Sequence, residues 1–360
     1  WGFIELRSTA FSPIETFTLI ANARVAAVLL SLAALSIQIR LIKLNPESFK
    51  RPGAVINLLH WAWCILLFTV ATAETNDYFR QRMIRAPRAQ TELYFNEFIT
   101  LAIAWLVYSL PLAWYGLKKK LAPVGAAGLL ALAAAIVILA ASTFSYEPIS
   151  DFRLLLNYRA AAMAFALVAL YLHSEWTKVE GERRVAGLPL SNWSSLLRLG
   201  IALLALLLMT VETRDYFNRE LFGLNQQIKP GVETIGQLST QINSITNLQQ
   251  MALSLVWLVY SILLIGFGIW RRVLALRILA IVIFGITILK IFIYDLSFLE
   301  TLYRIFSFIG LGLILLTVSF LYQRYKTAIF DTGPREPGSD GAEEAGPQEP
   351  LSDVEAEGEA

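Results

Sequence analysis

Two copies of the sequence Glu-Thr-x-Asp-Tyr-Phe carry the residue types in this chain that are best suited to chemistry. They span residues 74–79 and 212–217, a constant shift of 138 residues. At helical spacing the two acids and the tyrosine of each copy fall on one face of a helix. These six candidate residues are Glu74, Asp77, Tyr78, Glu212, Asp215 and Tyr216.

Paired carboxylates on one helix face can do three kinds of chemistry. They can bind a divalent cation, act as a general base, or hydrogen-bond the polar groups of a sugar. They can equally pair with nearby arginines and stabilise helix ends. Because the motif occurs twice in weakly similar surroundings, a function and a shared packing role explain it equally well.

A second set of charges joins an acid at the end of one helix to an arginine at the start of the next. We expect each arginine to satisfy the acid and to fix the corner between the two helices; an anion site for phosphate or carboxylate headgroups is the alternative. Lys290, near the end of an apolar helix, is expected to reach the membrane interface or to pair with Asp295. The expected pairs are Glu5 with Arg24, Glu147 with Arg159, and Asp295 with Arg304.

The composition indicates what kind of fold positions these residues. The 360 residues are 56% hydrophobic and only 16% charged, with a mean hydropathy of +0.57. Soluble domains average about 25% charged residues, so the chain is predicted to be a polytopic membrane protein. One cysteine and two histidines exclude a disulfide scaffold and a zinc finger. His60 and His173 have no companion motif, so no cofactor and no metal is predicted, and no basic–aromatic surface indicates nucleic acid.

Nine apolar segments are suited to cross a bilayer as helices, which needs about 20 residues each. Nothing alternates in the manner of an outer-membrane barrel, so an all-α fold is predicted. The stretch 218–248 is polar with apolar residues at helical spacing, and is expected to form a helix at the outer interface or an extension of the seventh helix. The predicted spans are about 21–42, 54–73, 98–117, 121–142, 158–173, 196–211, 249–270, 273–294 and 303–325.

Basic residues in the short loops orient these helices. Lys118, Lys119 and Lys120 follow the third helix, and Arg271 and Arg272 follow the seventh. The alternate loops balance their bases with acids. The odd-numbered helices are therefore predicted to end in the cytoplasm, which puts both copies of the Glu-Thr-x-Asp motif at the outer ends of their helices.

Short sequence matches recur in the same order along the chain. The stretch from Trp105 to Ser109 recurs as 257–261, and Asn22-Ala23-Arg24 recurs at 157–159. An even number of helices in each copy keeps the orientation, so we predict tandem, parallel four-helix repeats. The predicted regions are an outer segment at 1–20 that ends a preceding repeat, a first repeat at 21–156, a second at 157–301, a last transmembrane helix at 302–326 and a disordered, acidic, cytoplasmic tail at 327–360.

The two termini differ in character. Residues 331–360 carry ten acidic side chains and one arginine among many glycines and prolines. Such a stretch has too little apolar surface to offset the entropy of ordering, so a solvating tail is predicted, with binding to a basic partner as the alternative. Since Glu5 stands where a unit would end, the chain is expected to begin within a longer array.

The C-terminal part of the sequence carries the most specific resemblance to other proteins. It contains Leu289 to Ser297, Leu302 to Gly312 and Leu321 to Tyr325. Together with the repeats, this run resembles the large bacterial predicted membrane proteins known as domain of unknown function 2339. The resemblance implies the bacterial inner membrane and the C-terminal part of a longer protein, and it supplies no catalytic residues.

The leading functional prediction is a non-catalytic envelope component that binds or scaffolds an envelope lipid, a glycan or a membrane protein partner. It rests on the absence of a recognisable catalytic set beside a repeated polar surface. One alternative is a membrane transferase acting on a lipid-linked sugar, with Glu74 and Asp77 or Glu212 and Asp215 as base. The other alternative is a transporter built on parallel repeats, which would need a polar route between the two sides.

Overall fold

The apolar segments fold as α-helices in the computed structural model, which describes residues 18–86, 90–143, 152–178, 184–185, 188–227, 235–295 and 301–330. This part of the chain holds nine α-helices and one two-residue antiparallel ladder, β1 (Arg184–Val185) with β2 (Leu188–Pro189). The helices are α1 (Ala23–Leu44), α2 (Pro52–Arg85), α3 (Gln90–Lys118), α4 (Ala122–Ser142), α5 (Tyr158–Thr177), α6 (Leu190–Gln227), α7 (Ile235–Trp270), α8 (Leu274–Lys290) and α9 (Thr301–Phe330).

Seven of the described helices, α1 to α4 and α6 to α8, are long and apolar enough to cross a membrane. Only 6% to 56% of their most apolar windows is buried within the protein. Exposed leucines and isoleucines on such helices are stable only in an apolar medium, as in a bilayer. The prediction of an all-α, polytopic membrane protein is confirmed, and the two remaining predicted spans lie in α5 and α9.

Helix α5 is the centre of the largest core cluster. Its small apolar residues, Ala162 and Ala166 among them, pack against α3, α4 and α6. Because protein covers one face of this helix, that face can also carry the buried polar residues Arg159 and His173. That is why α5 is less apolar than the seven helices above.

The turn between α3 and α4 brings two backbones into close contact. A Cβ atom on Gly116 would lie 2.2 Å from the backbone N of Gly125, and one on Gly128 would lie 2.5 Å from the backbone N of Ala113. The turn is closed by a hydrogen bond from the Leu121 N–H to the Gly116 carbonyl, at 2.8 Å. Glycine permits this approach because it has no side chain.

The turn between α7 and α8 has the same backbone hydrogen bond at sequence-matched positions. The Val273 N–H donates to the Gly268 carbonyl at 3.0 Å, and Arg272 has a φ of 52°, as Lys120 has a φ of 58° in the first turn. Both turns carry basic residues and lie at the same end of the bundle. We call this end the basic-turn end.

Two long helices extend beyond the apolar segments that predicted them. Helix α6 continues to Gln227 and α7 begins at Ile235, so most of the polar stretch 218–248 forms extensions of these two helices. Helix α9 continues to Phe330, into the segment assigned to the tail. The predicted segment 1–20 and the predicted tail otherwise lie almost entirely outside the described residues. The division of the chain into repeats stays a prediction.

Candidate functional site: two carboxylate–arginine clusters

The first carboxylate–arginine cluster joins the start of α1 to α2. It comprises the backbone N–H of Ile20 and the side chains of Asn22, Arg24, Glu74 and Asp77. The Ile20 N–H donates to Oε2 of Glu74 at 2.9 Å, and Asn22 Nδ2 donates to both carboxylate oxygens of Glu74 at 2.9 Å. Asn22 Oδ1 in turn accepts from the N–H of Val25 at 3.0 Å, so this one side chain caps α1 and binds α2.

Arg24 bridges the two carboxylates of this cluster. Its Nη2 lies 2.8 Å from Oε1 of Glu74 and 2.7 Å from Oδ2 of Asp77, while its Nε donates to Glu74 Oε1 at 3.2 Å. The Glu74 and Asp77 residues are buried. A planar guanidinium matches two carboxylates in this way better than an ammonium would.

The second carboxylate–arginine cluster joins the start of α5 to α6 through the matched atoms. It comprises the N–H of Leu155 and the side chains of Asn157, Arg159, Glu212 and Asp215. The Leu155 N–H donates to Glu212 Oε2 at 2.8 Å, and Asn157 Nδ2 lies 2.8 and 2.9 Å from the two oxygens of Glu212. Arg159 Nη2 lies 3.3 Å from Glu212 Oε1 and 2.5 Å from Asp215 Oδ2.

A left-handed residue precedes the capping asparagine in both clusters. Ile20 has a φ of 67° and Leu155 a φ of 59°, a conformation that costs a side-chain-bearing residue about 1–2 kcal/mol. The same residue donates its N–H to the glutamate of the cluster. The hydrogen bond to a carboxylate offsets the cost of this conformation.

The second cluster has one additional cation. Arg214 places its Nε 3.0 Å from Asp215 Oδ1 and donates from Nη2 to the carbonyl of Thr143, just after α4, at 2.7 Å. The first copy of the motif has Asn76 at the matched position. The second cluster is therefore also tied to the end of α4.

The tyrosines of the motif pack against the phenylalanines that follow them in sequence. Tyr78 packs edge-on against Phe79, with ring centroids 5.3 Å apart, and the guanidinium of Arg82 lies 4.6 Å from the Tyr78 ring centroid. Tyr216 packs on Phe217 with the same centroid distance and is exposed. Their rings therefore take part in aromatic and cation–π contacts at these helix ends.

The partners expected for the other charged residues lie outside the described part of the chain. Lys290 donates to the carbonyl of Gln250 at 3.1 Å and to Ser254 Oγ at 2.7 Å, and so binds α8 to α7. Glu5 and Glu147 lie outside the described residues, as do the side chains of Asp295 and Arg304. Of the predicted arginines, Arg24 and Arg159 bind the acids of the Glu-Thr-x-Asp motif.

Sequence reasoning missed two kinds of contact in or near these clusters, each of which occurs twice. Asn22 and Asn157 recur beside the arginines, but no role as a helix cap was assigned to them. Trp105 Nε1 donates to Thr72 Oγ1 at 2.9 Å, and Trp257 Nε1 donates to Thr210 Oγ1 at the same distance. The signal was present, because all of these residues stand in the recurring stretches.

The arrangement limits what the clusters can do chemically. The guanidinium of Arg24 occupies the position between the carboxylates of Glu74 and Asp77 where a divalent cation would bind. Glu74 also accepts hydrogen bonds from Asn22 and from a backbone N–H. Because Arg24 and Asn22 already bind the oxygens of Glu74, this carboxylate has few free lone pairs with which to take a proton from a substrate.

These helices define a multi-pass, helical membrane protein. The chain belongs to the family described as "Predicted membrane protein (DUF2339)", whose model matches residues 1–325. The resemblance seen in the C-terminal run is thus confirmed. No curated protein and no solved structure matches the chain.

Proposed function

We propose that this chain is a non-catalytic component of the bacterial inner membrane, a binding or scaffold protein of the cell envelope. The observation that supports this proposal is the state of the two carboxylate–arginine clusters. Both are occupied by partners from the chain itself: in each, an asparagine Nδ2 contacts both glutamate oxygens, and an arginine Nη2 lies against glutamate Oε1 and aspartate Oδ2. Their role is to lock one helix onto the next.

The alternative of a membrane transferase fits this arrangement less well. Two copies that begin equivalent are expected to diverge when one becomes a catalytic site, since chemistry needs one arranged set of groups. Here the asparagine, arginine, glutamate and aspartate are present in both copies. Neither cluster leaves a carboxylate pair open to a substrate, because an arginine bridges each pair.

The transporter alternative needs polar groups along the bundle between its two ends. Buried hydroxyls found there donate to carbonyls of their own helices, as Ser109 does to Leu106, Ser261 to Leu258 and Thr287 to Ile283. Hydroxyls bonded in this way do not offer a relay of charges. This pattern favours the scaffold.

The proposed orientation places the basic-turn end and the C-terminus in the cytoplasm, and the two clusters outside. Thr240, exposed near the start of α7, and Lys119, in the turn after α3, lie at opposite ends of the bundle. In a Cys64→Ala background, which carries the residue of the matched position Ala202, we expect Thr240→Cys to react only with an impermeant thiol reagent added outside. Lys119→Cys should react only after the inner face is opened. Labelling of both from one side would contradict the orientation.

The functional test compares Asp77→Asn with Asp215→Asn. If both clusters are structural, each variant should lower the melting temperature and the amount of protein in the membrane. Complementation of a strain that lacks the gene, scored under detergent or osmotic stress, should then follow protein abundance. Thr213→Ala, a change at an adjacent position whose hydroxyl donates only to its own helix, is the matched control.

One result would overturn the proposal in favour of an active or ligand-binding site. It is loss of complementation by one of the two aspartate variants at normal abundance and normal melting temperature.

A further inference from the structure

Two cavities of equal size open at the basic-turn end of the bundle. Each has a volume of about 540 Å³, within the range of pockets that hold small ligands. The first is lined by residues of α1 to α4, and the second by residues of α5 to α8. They lie at the opposite end of the helices from the carboxylate–arginine clusters.

Sequence-matched positions line the two cavities. Lys43 of α1 corresponds to Lys178 after α5 with a shift of 135 residues, and His60 of α2 corresponds to Arg198 of α6 with a shift of 138. Tyr115 of α3 lines the first cavity. Phe267 of α7, which corresponds to it with a shift of 152 residues, lines the second. Three helices with different shifts thus place matched side chains around each cavity, so the cavity is a property of the helix arrangement and not of one loop.

The second cavity combines a basic rim with an apolar wall. Its rim holds one acid, Glu175, which pairs with Lys178. The other three cations of the rim are Arg198, Arg271 and Arg272. Its deeper wall is aliphatic, with Ala202, Leu264 and Leu276 among the lining residues.

Aromatic side chains surround the mouth of the second cavity. Tyr171, Phe267 and Trp270 line it and are exposed. Tyr and Trp side chains on transmembrane helices concentrate at the interface between headgroups and hydrocarbon. In the proposed orientation, these aromatic residues put the mouth of the cavity at the depth of the headgroups.

We propose that the second cavity binds an anionic phospholipid. Its phosphate is held by Arg198, Arg271 and Arg272, and an acyl chain lies along the aliphatic wall. Guanidinium groups bind phosphate oxygens through charge-assisted hydrogen bonds, and basic pockets between transmembrane helices are a general way to recognise anionic headgroups.

The acidic C-terminal segment of the same chain is the main competing occupant. Residues 331–360 carry the charge that the rim would attract, but Leu351 and Val354 are their only large apolar residues. Such a segment matches the rim and not the aliphatic wall. A lipid matches both surfaces.

The first cavity provides an internal comparison. Its lining includes Lys43 and His60 but lacks the arginines that line the second. We expect it to accept acyl chains with little selectivity for the headgroup, because a single lysine supplies less attraction than several arginines.

The test measures lipid retained by the purified full chain in nanodiscs made with phosphatidylglycerol or with phosphatidylcholine. Native mass spectrometry counts the bound lipid, and the melting temperature reports its stabilising effect. The unaltered chain should prefer phosphatidylglycerol, and Arg198→Gln with Arg271→Gln should reduce that affinity at least about tenfold, since each basic residue contributes several-fold at a membrane surface. The matched control is His60→Gln with Lys119→Gln, which alters the residues that correspond in sequence to Arg198 and Arg271, of which His60 lines the first cavity, and should change the affinity less than about twofold.

A second variant guards against loss of folding in the arginine variant. Ala205→Phe fills the apolar part of the second cavity and leaves every cation in place, and it should also abolish the preference. Equal effects of the arginine variant and its control, or an unchanged preference in Ala205→Phe, would overturn the proposal.

Two further arms distinguish the sources of the anion. A chain ending at residue 330 should keep its phosphatidylglycerol preference, whereas appearance of the preference only after this truncation would show that the tail is the native occupant. Inorganic phosphate should not displace the lipid, and equal stabilisation by phosphate alone would show a soluble anion site instead. Because the cavity and the clusters lie at opposite ends, failure here leaves the proposed scaffold function standing.

Discussion

The two carboxylate–arginine clusters use the same atoms in different surroundings. The Arg24 side chain is 21% exposed and that of Arg159 is 2% exposed, although both bridge a glutamate and an aspartate. Helix α1 packs mainly on α2, whereas α5 lies among α3, α4 and α6. The ion pairs therefore come with the repeated motif, while their burial is set by the neighbouring helices.

The hairpins that follow the clusters differ in how closely their helices pack. In the first, Gly116 faces Gly125; in the second, the matched residues are Gly268 and Arg277. The buried Arg277 donates from Nε to the Gly268 carbonyl at 3.0 Å. A backbone contact in one hairpin is thus replaced by a side-chain hydrogen bond in the other.

A third difference is that two charged residues in the first region are matched by two amide side chains in the second. Gln249 on α7 donates to Asn218 Oδ1 on α6 at 3.0 Å, and the matched residues on α3 and α2 are Glu97 and Arg80. Glu97 is buried, like Gln249. The same junction between two helices therefore has an acid and a base at one site and two neutral amides at the other.

The largest effect is expected from removing the bridging arginine of each cluster. Arg159→Gln leaves Glu212 and Asp215 buried without their bridging cation, which should lower the free energy of unfolding by about 3–5 kcal/mol. Arg24→Gln should cost less, about 1–3 kcal/mol, since water reaches that side chain. Unfolding in mixed micelles by a denaturing detergent measures both. Arg159→Lys retains the charge, so its loss of unfolding free energy should lie between those of Arg24→Gln and Arg159→Gln. Equal losses for Arg24→Gln and Arg159→Gln would mean that burial does not set the cost.

An intermediate effect is expected from adding one methyl group to each hairpin. Gly116→Ala places a Cβ 2.2 Å from a backbone nitrogen and should destabilise the protein by about 1–3 kcal/mol. Gly268→Ala places its Cβ 3.0 Å from Cγ and 3.2 Å from the backbone N of Arg277, which are longer contacts, and should cost less. Gly285→Ala in α8 meets nothing within 4 Å and should be neutral or slightly stabilising. Melting temperatures that rank Gly268→Ala as the most damaging would reverse this comparison of the hairpins.

The smallest effect is expected at two matched tryptophans that make the same hydrogen bond. Trp105→Phe and Trp257→Phe each remove one hydrogen bond between helices, to Thr72 or Thr210. Such bonds contribute about 0.6 kcal/mol on average within membrane proteins. The two melting temperatures should therefore fall by similar small amounts. Combining each change with Thr72→Val or Thr210→Val should add little, and a loss several times larger at one site would reveal a role beyond the hydrogen bond.

The sequence by itself determined the class of fold and the positions of most helices. Long apolar stretches form helices in a bilayer because every backbone N–H and C=O must be satisfied within the segment. It also determined that Glu74 and Asp77 share a face, because helical spacing is local. Hydropathy underestimated the lengths of α6 and α7, because the part of a helix that extends beyond the hydrocarbon is still helical but is no longer apolar.

Only the tertiary structure decided which charges meet. Arg24 lies near Glu5 in sequence, yet it binds Glu74 and Asp77, which are 50 and 53 residues away. Lys290 likewise binds Gln250 and Ser254 of α7. The reason is that long side chains at helix ends reach any neighbouring helix, and the choice depends on which ends are packed together. The two cavities have the same origin, because no local pattern records the space left between four helices.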